Sequence, residues 1–274
     1  MKVAEALADA RVRIEPFEAS LLLAEASGKN RAWLVAHDGD ELPTEIAARY
    51  ADWVKRRVAG EPVAYILGWR EFYGHRFAVA PGVLIPRPET ELLVEQGLAA
   101  IAQTLSPKVL DLGTGSGCIA VSLALARPDA QVTAVDFSEA ALTIARSNAT
   151  TLGGRVTFIC SDWAANISGR DFDLIVSNPP YIAPDDVHLQ QGDLRFEPRT
   201  ALAAADAGLS DLRRIVAAAT KLLKPGGTLL CEHGYDQGGL MREVLVEKGF
   251  SPLAYRDLAE IVRVSGGRLA NPGF

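Results

Sequence analysis

Four consecutive residues, Asn178-Pro179-Pro180-Tyr181, form the combination in this chain best suited to chemistry on a planar nitrogen. Pro179 and Pro180 have a fixed φ and no backbone N–H, so the turn displays carbonyl oxygens and few donors. The Asn178 side chain adds one further acceptor and two donors, and Tyr181 adds an aromatic face. A planar –NH2 group would find acceptors for both hydrogens and a ring to lie against. That arrangement suits alkylation of an amide nitrogen, a poor nucleophile because its lone pair is delocalised into the carbonyl. Two accepted hydrogen bonds hold the nitrogen in line with an electrophilic carbon and stabilise the positive charge growing on it. No strong base is required, because the alkylated nitrogen is acidic enough to shed its proton to the site or to water. No candidate catalytic histidine or lysine stands beside the motif. The alternative is a plain Pro-Pro turn ending a strand.

A second group of residues could supply the electrophile. Asp111-Leu112-Gly113-Thr114-Gly115-Ser116-Gly117 follows a strand-like run and opens a helical one. Glycine permits positive φ and lets a ligand touch the backbone, and in open parallel sheets ligands sit beyond the carboxyl ends of the strands. The spacing differs from the dinucleotide fingerprint Gly-x-Gly-x-x-Gly, and nothing demands a pyrophosphate; a tight β–α turn without a ligand is the alternative. Asp136, at the end of Ala134-Val135-Asp136, can hydrogen-bond both hydroxyls of a ribose. It could instead cap the next helix, but Ser138 can do that and leave Asp136 for a ligand. Ser161-Asp162-Trp163 offers an acid and an indole, which could hold a purine by hydrogen bonding and stacking. A loop acid and a surface-packed tryptophan fit these residues equally well. Glu232-His233 ends a strand on the same side and reads as a satisfied pair.

These residues need a scaffold, and the apolar pattern supplies one. Val109–Leu112, Val132–Val135, Val156–Cys160, Phe172–Ser177 and Thr228–Glu232 read as strands. Cys118–Ala126, Ser138–Leu152, Leu209–Leu223 and Leu240–Lys248 read as the helices between and after them. Leu253–Asp257 and Ile261–Val264 close the chain as a hairpin. Such alternation predicts an α/β fold with a mostly parallel sheet covered on both faces, here of seven strands. Glu89-Thr90-Glu91 opens a helix running to about Leu105. Before it, residues 1–60 read as a small helical domain, with a helix over Glu18–Ala26 ending at Gly28 and another starting after Pro43. Residues 61–90 read as a β-hairpin linker, with Val63–Gly68 and His75–Val79 strand-like about Gly74, and with Pro86 and Pro88 stiffening its end. Residues 91–274 make up the α/β domain.

Composition narrows the partners. With 49% apolar and 23% charged residues, the chain is an ordinary soluble globular protein, expected in the cytoplasm. No apolar run is long enough to cross a bilayer, and the N-terminus lacks an apolar signal core. Three cysteines in apolar surroundings and four scattered histidines argue against disulfides and against a metal site. The formal net charge of −6 weighs against a nucleic-acid partner. Lys55-Arg56-Arg57 reads as a solvated helix face.

At these motifs the chain resembles the class I S-adenosylmethionine methyltransferases, and more closely the HemK/PrmC family of protein-(glutamine-N5) methyltransferases. Tyr65-Ile66-Leu67-Gly68 with Glu71-Phe72-Tyr73-Gly74 is similar to that family's linker, and Leu84-Ile85-Pro86-Arg87-Pro88-Glu89-Thr90-Glu91 to its interdomain signature. Phe196-Glu197-Pro198 and Ala204–Leu209 resemble the segment after its active site. The tetrapeptide is shared with adenine-N6 and guanine-N2 methyltransferases of nucleic acids; the Ile-Pro-Arg-Pro-Glu-Thr-Glu run is far more specific. The resemblance implies a Rossmann-like fold, S-adenosyl-L-methionine as donor with S-adenosyl-L-homocysteine as product, and no metal. Gly113, Thr114, Gly115, Ser116 and Gly117 would bind the methionine part, Asp136 the ribose, and Asp162 and Trp163 the adenine. Asn178 would meet cofactor and substrate, and Pro179, Pro180 and Tyr181 would hold the glutamine of the Gly-Gly-Gln motif in class-1 peptide chain release factors. The helical domain would help grip the release factor, and a monomer is expected. Methylation of a ribosomal-protein glutamine, or of a base amino group, are the alternatives. Arg87 bridges domains or touches the substrate backbone, or else pairs with Glu89 or Glu91; Glu197 orients the Asn178 loop or caps a turn.

Overall fold

Apolar residues at helical spacing in the first seventy positions fold as five helices. The computed structural model describes residues 1–169 and 171–270. In it, α1 (Val3–Arg11), α2 (Pro16–Ser27), α3 (Arg31–Ala36), α4 (Thr44–Val58) and α5 (Val63–Leu67) share a core that includes Leu22, Leu23, Leu34, Val54 and Ile66. Pro16 starts α2, where its missing N–H costs nothing, and Gly28, at φ 65°, ends it. Tyr50 of α4 donates its hydroxyl to Ala19 O of α2 at 3.1 Å. This compact unit comprises Met1–Trp69 and a later segment, Gln191–Phe196. Within it Arg57 pairs with Glu18 at 2.7 Å and with Asp193 at 2.8 Å. The basic run is therefore partly neutralised rather than merely solvated, and Arg56 likewise pairs with Glu61.

Val63–Gly68, expected as a strand, is the helix α5, with Gly68 at φ 78° as its stop. A five-residue apolar run does not by itself distinguish a strand from a buried helical turn. Here Ala64, Tyr65 and Ile66 are all buried, as a helix turn on a helical core allows. The helical unit accordingly ends after Trp69, beyond the boundary expected at residue 60.

The second unit, Arg70–Gln190 with Glu197–Phe274, takes in most of the hairpin formed by β1 (Trp69–Phe72) and β2 (His75–Ala78). Tyr73 and Gly74 both have positive φ, as a two-residue hairpin turn requires. A single 3-10 turn, Pro88–Thr90, leads into α6 (Glu91–Ala100), which ends before the expected Leu105. There follow β3 (Lys108–Leu112), α7 (Cys118–Ala126), β4 (Gln131–Asp136), α8 (Glu139–Leu152), β5 (Val156–Cys160) and β6 (Phe172–Ser177). The short α9 (Arg199–Leu202) and α10 (Ala205–Gly208) precede α11 (Ser210–Leu222), β7 (Leu223–Glu232), α12 (Gly238–Glu247), β8 (Phe250–Arg256) and β9 (Val262–Leu269).

The sheet order is β5-β4-β3-β6-β7-β9-β8. The first five strands run parallel, and β9 pairs antiparallel with both β7 and β8. Alternate residues of the central strand serve the two faces: Val109 packs with Leu93, Val94 and Leu123, whereas Leu110 and Leu112 pack with Leu212, Ile215 and Val216. Period-two burial on both faces is what a helix-covered parallel sheet requires. The chain leaves β3 toward β4 and β5, then returns to β3's other side as β6. That reversal opens a crevice beyond the carboxyl ends of β3, β4 and β6. No helix among the described residues is long and apolar enough to cross a membrane.

Candidate active site

The register brings three loops together. Leu112 stands opposite Val135 on one side and Ser177 on the other, so the glycine loop, Asp136 and Asn178 leave the sheet side by side. Ser177 Oγ donates to Leu112 O at 2.6 Å, locking β6 to β3 at this edge. The glycine loop turns sharply, with Gly113 N and Thr114 N both donating to Val135 O at 2.9 Å. Gly113 and Gly117 have positive φ and no room for a side chain: a Cβ would lie 3.0 Å from the Trp163 ring and 3.0 Å from Ala145 respectively. Thr114 Oγ1 donates to Asp111 Oδ2 at 2.6 Å beneath the loop. Burial pushes the Asp111 carboxyl up to about 7, with the Thr114 hydroxyl opposing it.

Asp136 is held by the backbone. Gly115 N donates to its Oδ2 and Ser138 N to its Oδ1, each at 2.9 Å. Its pKa is raised by burial, partly offset by these N–H groups. Ser138 caps α8 through Ala141 N, so Asp136 is free of that task. Trp163 takes a left-handed backbone, φ 48°, a strain that singles it out. Its Nε1 donates to Asp211 Oδ1 at 3.1 Å, and Arg214 links the exposed Asp162 at 2.7 Å.

The tetrapeptide is tied at both ends. Asn178 Nδ2 donates to Thr90 Oγ1 at 3.1 Å, and the Tyr181 hydroxyl donates to Glu232 Oε1 at 3.2 Å. Tyr181 O accepts from Gln237 Nε2 at 2.9 Å and Ile182 O from Ala204 N at 3.0 Å. The carbonyls of Pro179 and Pro180 meet no backbone N–H among the described residues, so the turn is acceptor-rich as its sequence implies. Gly208 approaches Tyr181 so closely that a Cβ would stand 2.1 Å from its carbonyl oxygen.

A cavity of about 340 Å³ joins these parts, within the range of small-molecule sites. Gly113, Thr114, Gly115, Ser116, Asp136, Asp162, Trp163, Asn178 and Pro180 all line it. Gly117 lies at the foot of α7, and Pro179 and Tyr181 are not part of the lining; Tyr181 turns to Glu232 instead.

Residues 1–68 match the PrmC N-terminal domain and residues 88–194 the methyltransferase small domain. The release factor glutamine methyltransferase of Bordetella pertussis is 52% identical over 254 residues, which cover 92% of this chain and 94% of that one. The enzyme of the same name from Neisseria gonorrhoeae is 51% identical over 259 residues, covering 93% and 94%. The chain belongs to the release factor glutamine methyltransferase family. Among solved structures, a methyltransferase from Pyrococcus furiosus is 17% identical with a TM-score of 0.53, covering 81% of this chain and 100% of that one. The T. thermophilus 16S rRNA N2 G1207 methyltransferase, in complex with AdoMet and guanosine, is 22% identical with a TM-score of 0.51, covering 73% and 49%. These likenesses show the methyltransferase fold.

In this family member several residues of the site were not legible from sequence. Glu232 is 1% exposed, and burial pushes its carboxyl up to about 7, with the hydroxyls of Thr90 and Tyr181 acting in the opposite direction. Its Oε2 has no hydrogen-bond partner among the described residues. The expected satisfied pair therefore holds only for His233, which bonds Ser265 Oγ at 2.7 Å and Gly234 O at 2.8 Å. A carboxylate at the last residue of a strand, directly before a histidine and on the ligand side, was the signal available. Arg87 pairs with Glu197, not with Glu89 or Glu91. Glu197 also accepts from Ile85 N at 2.9 Å, so it straps the Ile85–Arg87 segment that borders the cavity. Gln237 and Asp211 carried no sequence signal of their own; Thr90 and Gly208 lie inside the Leu84–Glu91 and Ala204–Leu209 runs, which marked them without giving either a role. No group of His, Cys, Asp and Glu among the described residues is arranged to hold a metal ion.

Proposed function

We propose that this chain transfers the methyl group of S-adenosyl-L-methionine to the side-chain amide nitrogen (N5) of the glutamine in the Gly-Gly-Gln motif of class-1 peptide chain release factors, acting as a cytosolic monomer. The observation that carries this reading is that Asn178 and Pro180 line the same cavity as Gly113–Ser116 and Asp136. Donor and acceptor chemistries thus share one space.

The chain's own groups fit the donor. The glycine loop offers close backbone approach for the methionine part. Each Asp136 oxygen is fixed by one N–H and keeps a lone pair for a ribose hydroxyl. Trp163, with Asp162 beside it, offers a wall for the adenine. When bound, the donor supplies an electrophilic sulfonium methyl carbon. Asn178 Oδ1 and a proline carbonyl of the turn accept the two amide hydrogens and aim the nitrogen lone pair at that carbon. Held there by Asn178 and the turn carbonyls, the nitrogen would take the methyl group and lose one proton to water, with S-adenosyl-L-homocysteine as the leaving group. Charge that grows on the nitrogen meets fixed acceptor dipoles rather than reorganising solvent. The helical unit, Met1–Trp69 with Gln191–Phe196, is suited to grip the release factor.

The test is mass spectrometry of purified release factor after incubation with donor and protein. One added methyl group on the glutamine of the motif is expected. An unmodified factor, or a methyl group on another residue, refutes the proposal.

A further inference from the structure

The acceptor reading requires Asn178 to present its oxygen, not its –NH2, to the incoming amide. A primary amide side chain can lie either way round, so something must choose. In this structure Asn178 Nδ2 is turned to Thr90 Oγ1 at 3.1 Å. Thr90 is itself buried, at the end of the 3-10 turn before α6. A threonine hydroxyl has one proton and two lone pairs. While it accepts from Asn178, its proton is available to the buried Glu232 carboxyl against which it sits. That carboxyl also accepts from the Tyr181 hydroxyl at 3.2 Å and keeps an oxygen without a partner among the described residues. The polar ends of the tetrapeptide therefore lead to one carboxyl, Tyr181 directly and Asn178 by way of Thr90.

We propose that Thr90 and Glu232 are positioning residues that select the orientation of the Asn178 amide, so that Oδ1 faces the substrate nitrogen. It rests on the glutamine reading above. An ionised Glu232 draws the Thr90 proton toward itself, and Thr90 can then only accept from Nδ2. A protonated Glu232 can donate to Thr90, freeing the threonine proton for Asn178 Oδ1. The reversed amide would set its –NH2 against the –NH2 of the acceptor, donor against donor. The charged and titratable groups facing Glu232 are Tyr181, Glu89 and Arg263, with the buried Cys118 thiol nearby. Burial pushes Glu232 up to about 7, which places the change of state within the working range.

The experiment compares Thr90→Val, Thr90→Ser and Glu232→Gln as full-length protein. For Thr90→Val and Glu232→Gln, kcat on release factor falls about tenfold or more, the cost of one misdirected hydrogen bond in the transition state. S-adenosylhomocysteine affinity by calorimetry and KM for release factor stay within about threefold, which shows an intact fold and cofactor site. Thr90→Ser, which keeps the hydroxyl, restores kcat to within about threefold. The wild-type kcat rises with pH as Glu232 ionises, and that limb is absent in Glu232→Gln. The side-chain –NH2 resonances of Asn178 report the same contact without turnover: they shift in Thr90→Val and follow the Glu232 ionisation in wild type. Thr90→Val turnover within about twofold of wild type, equal loss in Thr90→Ser, or unmoved Asn178 resonances overturn the inference. A wild-type protein that leaves release factor unmethylated would instead sink the glutamine reading, and the resonances would still decide the orientation.

Discussion

The glycine loop and the Asn178–Tyr181 turn leave the sheet on adjacent strands, yet they are held in opposite ways. The loop is built mostly from nearer residues: Thr114 bonds Asp111, Ser138 N bonds Asp136, Gly115 N bonds Asp136, and the longest hydrogen-bonded step is the 32 positions from Asn148 Nδ2 to Ser116 O. Most of its donors are backbone amides with positions set by φ. The turn is held by side chains from far along the chain, Thr90, Gln237 and Glu232, and by the close approach of Gly208. A locally closed loop can keep its shape while distant parts of the fold shift. A turn held by remote side chains keeps its shape only when the whole sheet and its helices are in place. The two halves should therefore fail differently, the first in affinity for the donor and the second in turnover.

The strongest way to break that contrast is a pair of truncations. Asn178→Ala removes an acceptor at the reacting nitrogen, and kcat is expected to fall about 10²–10³-fold. S-adenosylhomocysteine binding should weaken by only a few-fold. Asp136→Ala should do the reverse, weakening S-adenosylhomocysteine binding about 10–100-fold through loss of charged hydrogen bonds, with kcat at saturating donor largely kept. Calorimetry beside steady-state kinetics reads both. If both variants lose affinity and turnover together, the division of labour is wrong.

Gly208→Ala sharpens the same contrast without removing any polar group. Its φ of 84° and a Cβ placed 2.1 Å from Tyr181 O force the turn to move. We expect about a tenfold loss of kcat and a lower melting temperature, since the left-handed backbone alone costs on the order of 1 kcal/mol. Donor binding should be unchanged.

The smallest effect separates the two buried acids by pH. Glu232 is raised from 4.5 to about 7, so folding favours its protonated form. That contribution is fully present below about 4.5 and is lost as pH rises through about 7. Glu232→Gln stays neutral and should lose part of this decline, so its melting temperature relative to wild type should climb between pH 4.5 and 7.5. Asp111, on the loop side, is raised from 3.8 to about 7 and leaves a residual slope in the variant. Parallel curves for the two proteins would show that Glu232 does not ionise in this window.

Much of the molecule is legible in local patterns. The strands Val156–Cys160 and Phe172–Ser177 and the helix Cys118–Ala126 have the bounds their apolar runs imply. Gly28 stops α2 because a residue with no Cβ tolerates left-handed backbone. The tetrapeptide and the glycine loop are recognisable for the same reason, since proline and glycine impose backbone geometry on whichever fold contains them. Where local information is thin, the reading fails. Val63–Gly68 is apolar enough for a strand, and the helical core in which Ile66 is buried, with Val63 and Leu67 packed against it, makes it α5.

By itself, then, the sequence determined the alternation of strands and helices, the acceptor-rich turn and the donor loop, because periodicity and backbone restriction act over a few residues. The tertiary structure alone decided that Thr90 and Glu232 meet Asn178 and Tyr181, that Glu197 takes Arg87, and that Gln191–Phe196 packs with the helical unit. Those contacts arise from the order of strands in the sheet and from side-chain packing between elements. Residues 50 to 110 positions apart carry no periodic trace of one another until the chain has closed.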